Sequence, residues 1–570
     1  MSTKLLARKE LKLHDQGHRV ESRGLERGAI VVALLSIVVL ILYPMLSMLW
    51  VSVLDPDTGA FTFNAYISVF EGRQLQIIVA TLVYVTLTTI VSLLFGLPLA
   101  WAVARTNMPA KGLIATSAVI AYVVPPFLQG MAYTFVLSPH AGFANRFLDW
   151  FIGISPFNVY TMTGLVLVSA MHSFAQVFLI VRSSLYSMDA SIEEASQTCG
   201  ASHLQTMRRI TMPLVTPAIL SATVLAAILT LAQFGVPAVI GLPAGIRVLT
   251  TEIYSLLASF PPRFEIVSAF ALVFLFFSAI LVYLQKRVIG ARSFTTVVGR
   301  GIRPKQIDIG NLRWPLFGFC LAVVAGALYV PAAVILLISF LSTWGFWLRP
   351  GNLTLDNYAA IFLRMGETQQ AFQNTLVIGI LASLFCVLLG LMVAYLITKS
   401  KLPGRNVLRY ASFLPTSIPG VVFTVGVILA FISPPIAIYG TLSIIVVTYV
   451  ARFLPFSVQP LSNSLEQIDD SLLEGSRVSG AGWFGTMRFV TLPLVKYGIF
   501  SSLVLIFMTS IREMVSAVLL ASQGTQTVLV KIWQFWEEGQ TELATALAGV
   551  LMVVIALLYG LASRVMRERT

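Results

Sequence analysis

Charged residues are scarce in this chain. They make up 11% of 570 residues, against about 25% in an ordinary soluble domain. A soluble protein of this length could not cover its surface with so few charges, and the 57% hydrophobic content points to a bilayer as solvent. Cysteine is also scarce. Cys199, Cys320 and Cys386 are an odd, scattered set, which excludes a disulfide framework and a zinc site. The five histidines are scattered too, and His14 and His18 fall in a polar tail that reads as solvated surface. No clustered His, Asp or Glu constellation marks a catalytic or metal site, so neither an integral membrane enzyme nor a bound cofactor is expected. There is no phosphate loop of the G-x-x-x-x-G-K-[ST] type, and no Gly-Lys pair at all. Any ATP hydrolysis linked to this chain must belong to another one.

What is present is long apolar runs. They fall at about 29–54, 76–104, 113–137, 159–185, 213–240 and 265–285, then at 314–341, 372–398, 408–432, 439–462, 494–521 and 542–563. Each is long enough to span hydrocarbon. The first is too long for a signal-peptide core and has no cleavage pattern after it, so it reads as a retained helix. The net charge of +13 is carried by short stretches between the runs, which fits the positive-inside rule and not nucleic-acid binding. Arg105/Lys111, Arg208/Arg209, Lys399/Lys401/Arg405/Arg409, Arg488 and the tail Arg564/Arg567/Arg569 occupy alternate connections. Both termini are therefore expected in the cytoplasm. The chain divides into a tail (1–28), a six-helix half (29–285), a linker with seven basic residues (286–313) and a second half (314–570).

The halves are repeats. Gly200 matches Gly480 and Pro213 matches Pro493, both 280 apart. Earlier in each half Pro109 matches Pro403 and Pro125 matches Pro419, both 294 apart. The first half thus holds about fourteen extra residues, placed in the external loop His140–Asn158, whose Phe and Trp suit a membrane interface or a partner; a plain loop insertion is the alternative. An even number of spans gives both halves one orientation. The prediction is an all-α polytopic membrane protein of about twelve transmembrane helices, in two parallel halves related by a pseudo-twofold axis along the membrane normal.

The repeated loops carry the function. They read DASIEEASQTCGASHLQTMRRITMPL from Asp189 and DDSLLEGSRVSGAGWFGTMRFVTLPL from Asp469. Ser191 with Glu194, and Ser471 with Glu474, match a capping box. A short helix should follow, ending at Gly200 or Gly480, with Pro213 or Pro493 in the first turn of the next span. Two rigid short helices of like orientation offer a soluble motor two equal handles.

These segments resemble the EAA loop of ABC importer permeases, E-A-A-x3-G-x9-I-x-L-P. The matches are Glu194-Ala195-Ser196, Gly200, Ile210 and Pro213, then Glu474-Gly475-Ser476, Gly480, Val490 and Pro493, with Glu193 beside the first. The resemblance implies a type I importer permease in the bacterial inner membrane. It implies coupling helices on a homodimer of ATP-binding subunits, which hold the ATP and Mg, and a periplasmic binding protein that delivers the solute. The fused layout, with GFANRFL and PFNVY after the third span, is similar to the ferric-iron permease family, whose relatives carry thiamine or phosphonates. Ferric iron is the first expectation for the cargo. A phosphonate such as 2-aminoethylphosphonate, or thiamine, is the alternative, and an ion-coupled secondary transporter is the alternative from another class.

Ionisable groups at membrane depth are functional candidates by default. Arg452 falls in the tenth run and aligns with His172. Arg512 and Glu513 fall in the eleventh, and Glu513 aligns with Gln233. Two readings stand: these residues line a translocation path, or Arg452 and Glu513 form an internal ion pair that holds helices together. Pro125-Pro126, Pro237, Pro415, Pro419 and Pro455 predict helix breaks at the same depth.

Overall fold

The computed structural model describes residues 24, 26–188, 190–290, 306–345, 350–400 and 403–567. Most of the N-terminal tail (1–23 and 25) and residues 291–305 of the basic linker lie outside the described residues. The described chain is helical throughout, with three isolated β-bridges and no strand among those residues.

Among the described residues, ten unbroken helices are long and apolar enough to cross a membrane: Glu26–Ser52, Gly72–Arg105, Met162–Ser187, Met207–Leu231, Phe264–Arg287, Gly310–Ser339, Gly366–Thr398, Leu442–Glu466, Trp483–Ile511 and Thr541–Gly560. The third and ninth spans are bent pairs. Lys111–Val123 meets Pro126–Leu137 at 102°, and Arg405–Ser417 meets Gly420–Phe431 at 109°. The bends sit at Pro125 and Pro419, and the residues before them, Val124 and Ile418, are extended at ψ 132° and 121°. Proline disfavours helical backbone in the residue before it, so the ladder must stop there and restart.

Two expectations need correction. The fifth run was expected to span 213–240 and the eleventh 494–521, but the helices end at Leu231 and Ile511. Short segments follow, Pro237–Gly241 and Val515–Leu520. Gln233, Arg512 and Glu513 therefore sit at a break and not inside a continuous span. Apolar composition runs on past the break, but the backbone does not. Pro237 lacks an N–H, and Gly235 lies so close to Phe127 that a Cβ would come within 2.7 Å of its side chain.

The chain forms two compact units that cut across the sequence repeats. One contains residues 1–50 and 370–527, the other 51–369 and 528–570. In the first unit the opening span packs on Gly420–Phe431, and Tyr43 meets Phe431 edge to face at 5.8 Å. Gly426 is required there, because a Cβ would meet the Pro44 carbonyl at 2.7 Å. In the second unit the span Gly310–Ser339 packs on the bent third span. Gln129 donates to the Ala327 carbonyl at 2.7 Å and Tyr133 to Gly326 at 2.9 Å. Each repeat thus lends its first span to the unit built mainly from the other.

Within each unit the same helix crossing recurs. Gly96 on the second span lies against Val177 of the fourth, and Gly390 on the eighth lies against Ser457 of the tenth. The offsets are 294 and 280, so the crossing is a repeated feature. Small residues let membrane helices approach closely. The extra loop at 140–158 is also built, not slack. It forms the helix Phe143–Ile152, hung on buried Asn145, which donates to the Ser138 and Phe157 carbonyls at 2.9 and 2.6 Å. Phe147, Trp150 and Phe151 stay exposed. Two further ten-residue helices, Leu249–Ala258 and Val528–Glu537, were not singled out by hydropathy.

Gly96→Leu and Gly390→Leu should each force their crossing apart. We expect a loss of about 2 kcal/mol or more, read as a lower unfolding temperature of the purified protein in detergent. Gly112→Leu, where nothing lies within 4 Å of a Cβ, is the control that should behave as wild type.

Candidate functional site

The two loops fold alike. Their helices are Ala190–Thr198 and Asp470–Val478. Gly200 and Gly480 follow at φ +85° and +87°, the left-handed region where a side chain is strained. Ala201 donates to the Ser196 carbonyl and Ala481 to that of Ser476, each at 3.1 Å, closing the same helix-ending ring. Ser196 and Ser476, which replace the family's second alanine, have a use. Their hydroxyls bond Thr206 and Thr486 at 3.0 and 3.1 Å, stapling each loop helix to the chain that re-enters the membrane. Glu194, Ala195, Glu474 and Gly475 are exposed, as are Ile192, Leu472 and Val478. Each loop therefore presents a carboxylate beside an apolar side chain.

One local expectation fails. Ser471 is not the cap. The helix starts at Asp470, and the Asp469 carboxylate accepts the Ser471 N–H at 2.8 Å. That N–H and then the Ser471 hydroxyl hold the Asp469 carboxyl below its ordinary range. A charged acceptor at a helix N-terminus outcompetes a hydroxyl one or two residues later. Ser191 likewise lies inside a helix that begins at Ala190; residue 189 is outside the described residues. Pro213 and Pro493 do stand in the first turn of Met212–Leu231 and Leu492–Ile511, as expected, but helical backbone begins before them. Re-entry begins at His203–Thr206 and Trp483–Thr486 and passes through one wide π-turn, Met207–Thr211 or Met487–Thr491, before each proline. The extra residue of that turn absorbs the missing N–H, so the helix is not stopped.

The loops are mounted differently. Glu193 is buried, 4% exposed, and turned inward. Its Oε1 accepts the Thr211 hydroxyl at 2.7 Å, and its Oε2 lies 3.4 Å from Arg105, the last residue of the second span. The aligned residue in the second loop is Leu473. It sits in an apolar cluster with Ala394, Tyr395, Leu461, Leu465, Ile468 and Val495. Lys399, which aligns with Arg105 at the 294 offset, instead donates to the Ile468 carbonyl at 2.7 Å and pairs with exposed Asp470 at 2.6 Å.

The intramembrane candidates fall into separate clusters. Arg452 and Glu513 are joined at 2.7 Å, with side chains 16% and 13% exposed. Arg452 also donates to Ser516 at 2.6 Å, Thr424 to Ser516 at 2.8 Å, and the Tyr449 hydroxyl to the Glu513 carbonyl at 3.2 Å. Arg512 is the residue capping the helix Leu492–Ile511. In the other unit Gln233 accepts the Tyr84 hydroxyl at 2.7 Å, and Tyr84 also reaches Ser169 at 2.8 Å. Thr250 donates to the Gln233 carbonyl at 2.9 Å. His172, one turn beyond Ser169, stacks on Tyr122 at 6.0 Å. Sequence reasoning singled out charge and missed Tyr84, Ser169, Thr250, Thr424, Tyr449 and Ser516. The offset offered one signal, because Ser169 aligns with Tyr449 beside the aligned pair His172 and Arg452.

Arg452→Met should leave Glu513 charged and unpaired at a cost of about 3–5 kcal/mol, while Arg452→Met with Glu513→Gln should recover most of it. Unfolding in detergent reads stability and vesicle uptake reads transport. A double variant that is stable yet inactive assigns the pair to the path; one that is stable and active assigns it to helix packing alone.

The chain matches the family described as "Binding-protein-dependent transport system inner membrane component" over residues 92–290 and 386–570. It is 30% identical over 92% of its length to the ferric transport system permease protein FbpB of Actinobacillus pleuropneumoniae, covering 77% of that protein. It is 30% identical over 87% of its length to the putative ferric transport system permease protein FbpB 1 of Haemophilus influenzae, covering 79% of it. A putative 2-aminoethylphosphonate transport system permease protein, PhnV of Salmonella paratyphi A, is 29% identical over 41% of this chain and 90% of its own length. With the family matched once in each sequence half and the loop geometry repeated at the same offset, the chain belongs to the inner-membrane permeases of binding-protein-dependent ABC importers, as a fused double permease.

Proposed function

We propose that this permease carries ferric iron into the cytoplasm, driven by a homodimer of separate ATP-binding subunits that dock on the two loops. The observation that carries the docking is the pair of exposed loop helices, each ended by a left-handed glycine, 280 residues apart. Two like handles suit two like motor subunits, which would hold the ATP and Mg. A periplasmic binding protein brings the iron, and both termini and both loops face the cytoplasm. ATP binding closes the motor and moves the loops around Glu194 and Glu474, and the path opens outward; hydrolysis resets it. His172, Gln233, Arg452, Arg512 and Glu513 are the candidate residues of that path in this reading.

The iron assignment draws on the ferric relatives, which match along most of the chain. The phosphonate relative supports a second reading over a shorter stretch. Arg452 would suit an anion, but Glu513 neutralises it at 2.7 Å, which weakens that argument.

The test is uptake by vesicles holding the permease, its ATPase and its binding protein. Radioactive iron should enter only with hydrolysable ATP, and 2-aminoethylphosphonate should not compete; competition would move the assignment to phosphonate. Uptake without ATPase would sink the importer mechanism. Gly200→Pro and Gly480→Pro, which forbid a positive φ, should leave the protein in the membrane and cut uptake by roughly tenfold or more. Gly200→Ala and Gly480→Ala meet no neighbour within 4 Å and should cost about 1 kcal/mol each, with uptake largely kept.

A further inference from the structure

We propose that Arg105 is a positioning residue for the first docking loop, which it holds through Glu193 in a charge-dependent mount that the second loop lacks. The inference rests on the docking role proposed above and adds that the two handles are mechanically unequal.

Both oxygens of Glu193 are committed. Oε1 takes the Thr211 hydroxyl at 2.7 Å and Oε2 faces Arg105 at 3.4 Å. The first turn of the loop helix is therefore tied forward to the re-entry turn and back to the end of the second span. The guanidinium is 1% exposed, and among the described residues Glu193 is the one acid in ion-pair range of it. Arg105 is itself clamped by the end of the linker. Its carbonyl accepts the Ile307 N–H at 2.7 Å, and Asn107 donates to the Ile307 carbonyl at 3.1 Å. The Asn107 amide donates to Asp308 and accepts the Ile309 N–H at 3.2 Å. So the segment that leads into the second half is pinned to the residue that holds the first loop.

The second loop replaces both charged members of this mount and redirects the threonine. Leu473 stands for Glu193 in an apolar socket. Lys399 stands for Arg105 and pairs with Asp470, which is 72% exposed and so screened by solvent. Thr491 stands for Thr211, and its hydroxyl turns to the Thr486 carbonyl at 3.4 Å. A buried pair that loses one partner leaves the other charge uncompensated, whereas apolar replacement of both is often tolerated. The first loop should then fail when one charge is removed and recover when both become leucine, the solution the second loop already uses.

The experiment uses the full permease with its ATPase in vesicles, on a Cys199→Ser background. Thr198→Cys and Val478→Cys, aligned at 280, report cross-linking of each loop to the motor. Arg105→Leu or Glu193→Leu should lower the first cross-link about tenfold and leave the second unchanged. Arg105→Lys should keep it, and Arg105→Leu with Glu193→Leu should restore it to within about twofold. If Arg105→Leu does not reach the membrane, Glu193→Gln serves in its place. Single variants with an undiminished first cross-link, or a folded double variant that stays low, overturn the unequal mount. A parent protein that cross-links at neither loop overturns the docking reading instead.

Discussion

A helix that breaks inside hydrocarbon frees donors and acceptors that no water can serve, so neighbouring side chains must take them. That constraint explains where the polar residues of this permease gather. At the break after Leu231, Thr250 takes the Gln233 carbonyl and Tyr84 takes its side chain. At the break after Ile511, Tyr449 takes the Glu513 carbonyl, while the Glu513 carboxylate accepts the Ser516 N–H at 3.2 Å and so caps the next turn. The polar clusters are thus the means by which irregular backbone is stabilised at that depth. Any role in passage is built on groups already required for structure.

The repeats keep the backbone solution and exchange the chemistry. Gly96 and Gly390 hold the same crossing, and Pro125 and Pro419 bend the same span. Yet one cluster is an ion pair and its counterpart a neutral tyrosine–glutamine network. One loop rests on a buried carboxylate and the other on a leucine socket. A fused chain permits this, because its two halves can diverge residue by residue while remaining paired.

Much of the architecture was legible because hydropathy and spacing are local signals. Twelve apolar runs, the two offsets and the paired loops all follow from residues near one another in sequence. The glycines at 200 and 480 were legible for a steric reason, since few other residues accept a positive φ. The ends of the fifth and eleventh spans were not, because apolar composition continues through Pro237 and past Ile511 while the hydrogen-bond ladder stops. The cap was placed two residues late, because a serine pattern was weighed above the stronger acceptor Asp469 just ahead of it. In the sequence Arg105 reads as a topology signal, as any arginine ending a span does. Only tertiary packing shows that its guanidinium is 1% exposed and faces Glu193.

The Arg452–Glu513 pair also bears on the cargo. An isolated guanidinium at membrane depth would attract anions and resist a cation. Joined to Glu513 at 2.7 Å, it presents a dipole whose far field largely cancels. Ser516 and Thr424 extend that dipole into a neutral hydroxyl chain, and Tyr84, Ser169 and Thr250 supply hydroxyls at the other break. Groups of this kind offer oxygens without a deep electrostatic well. On the proposed ferric assignment, a carrier that releases a highly charged metal ion on each cycle needs weak oxygen contacts more than strong ones, because tight coordination along its path would stop turnover. Under that proposal the strong ligands would belong on the binding protein and not on this chain.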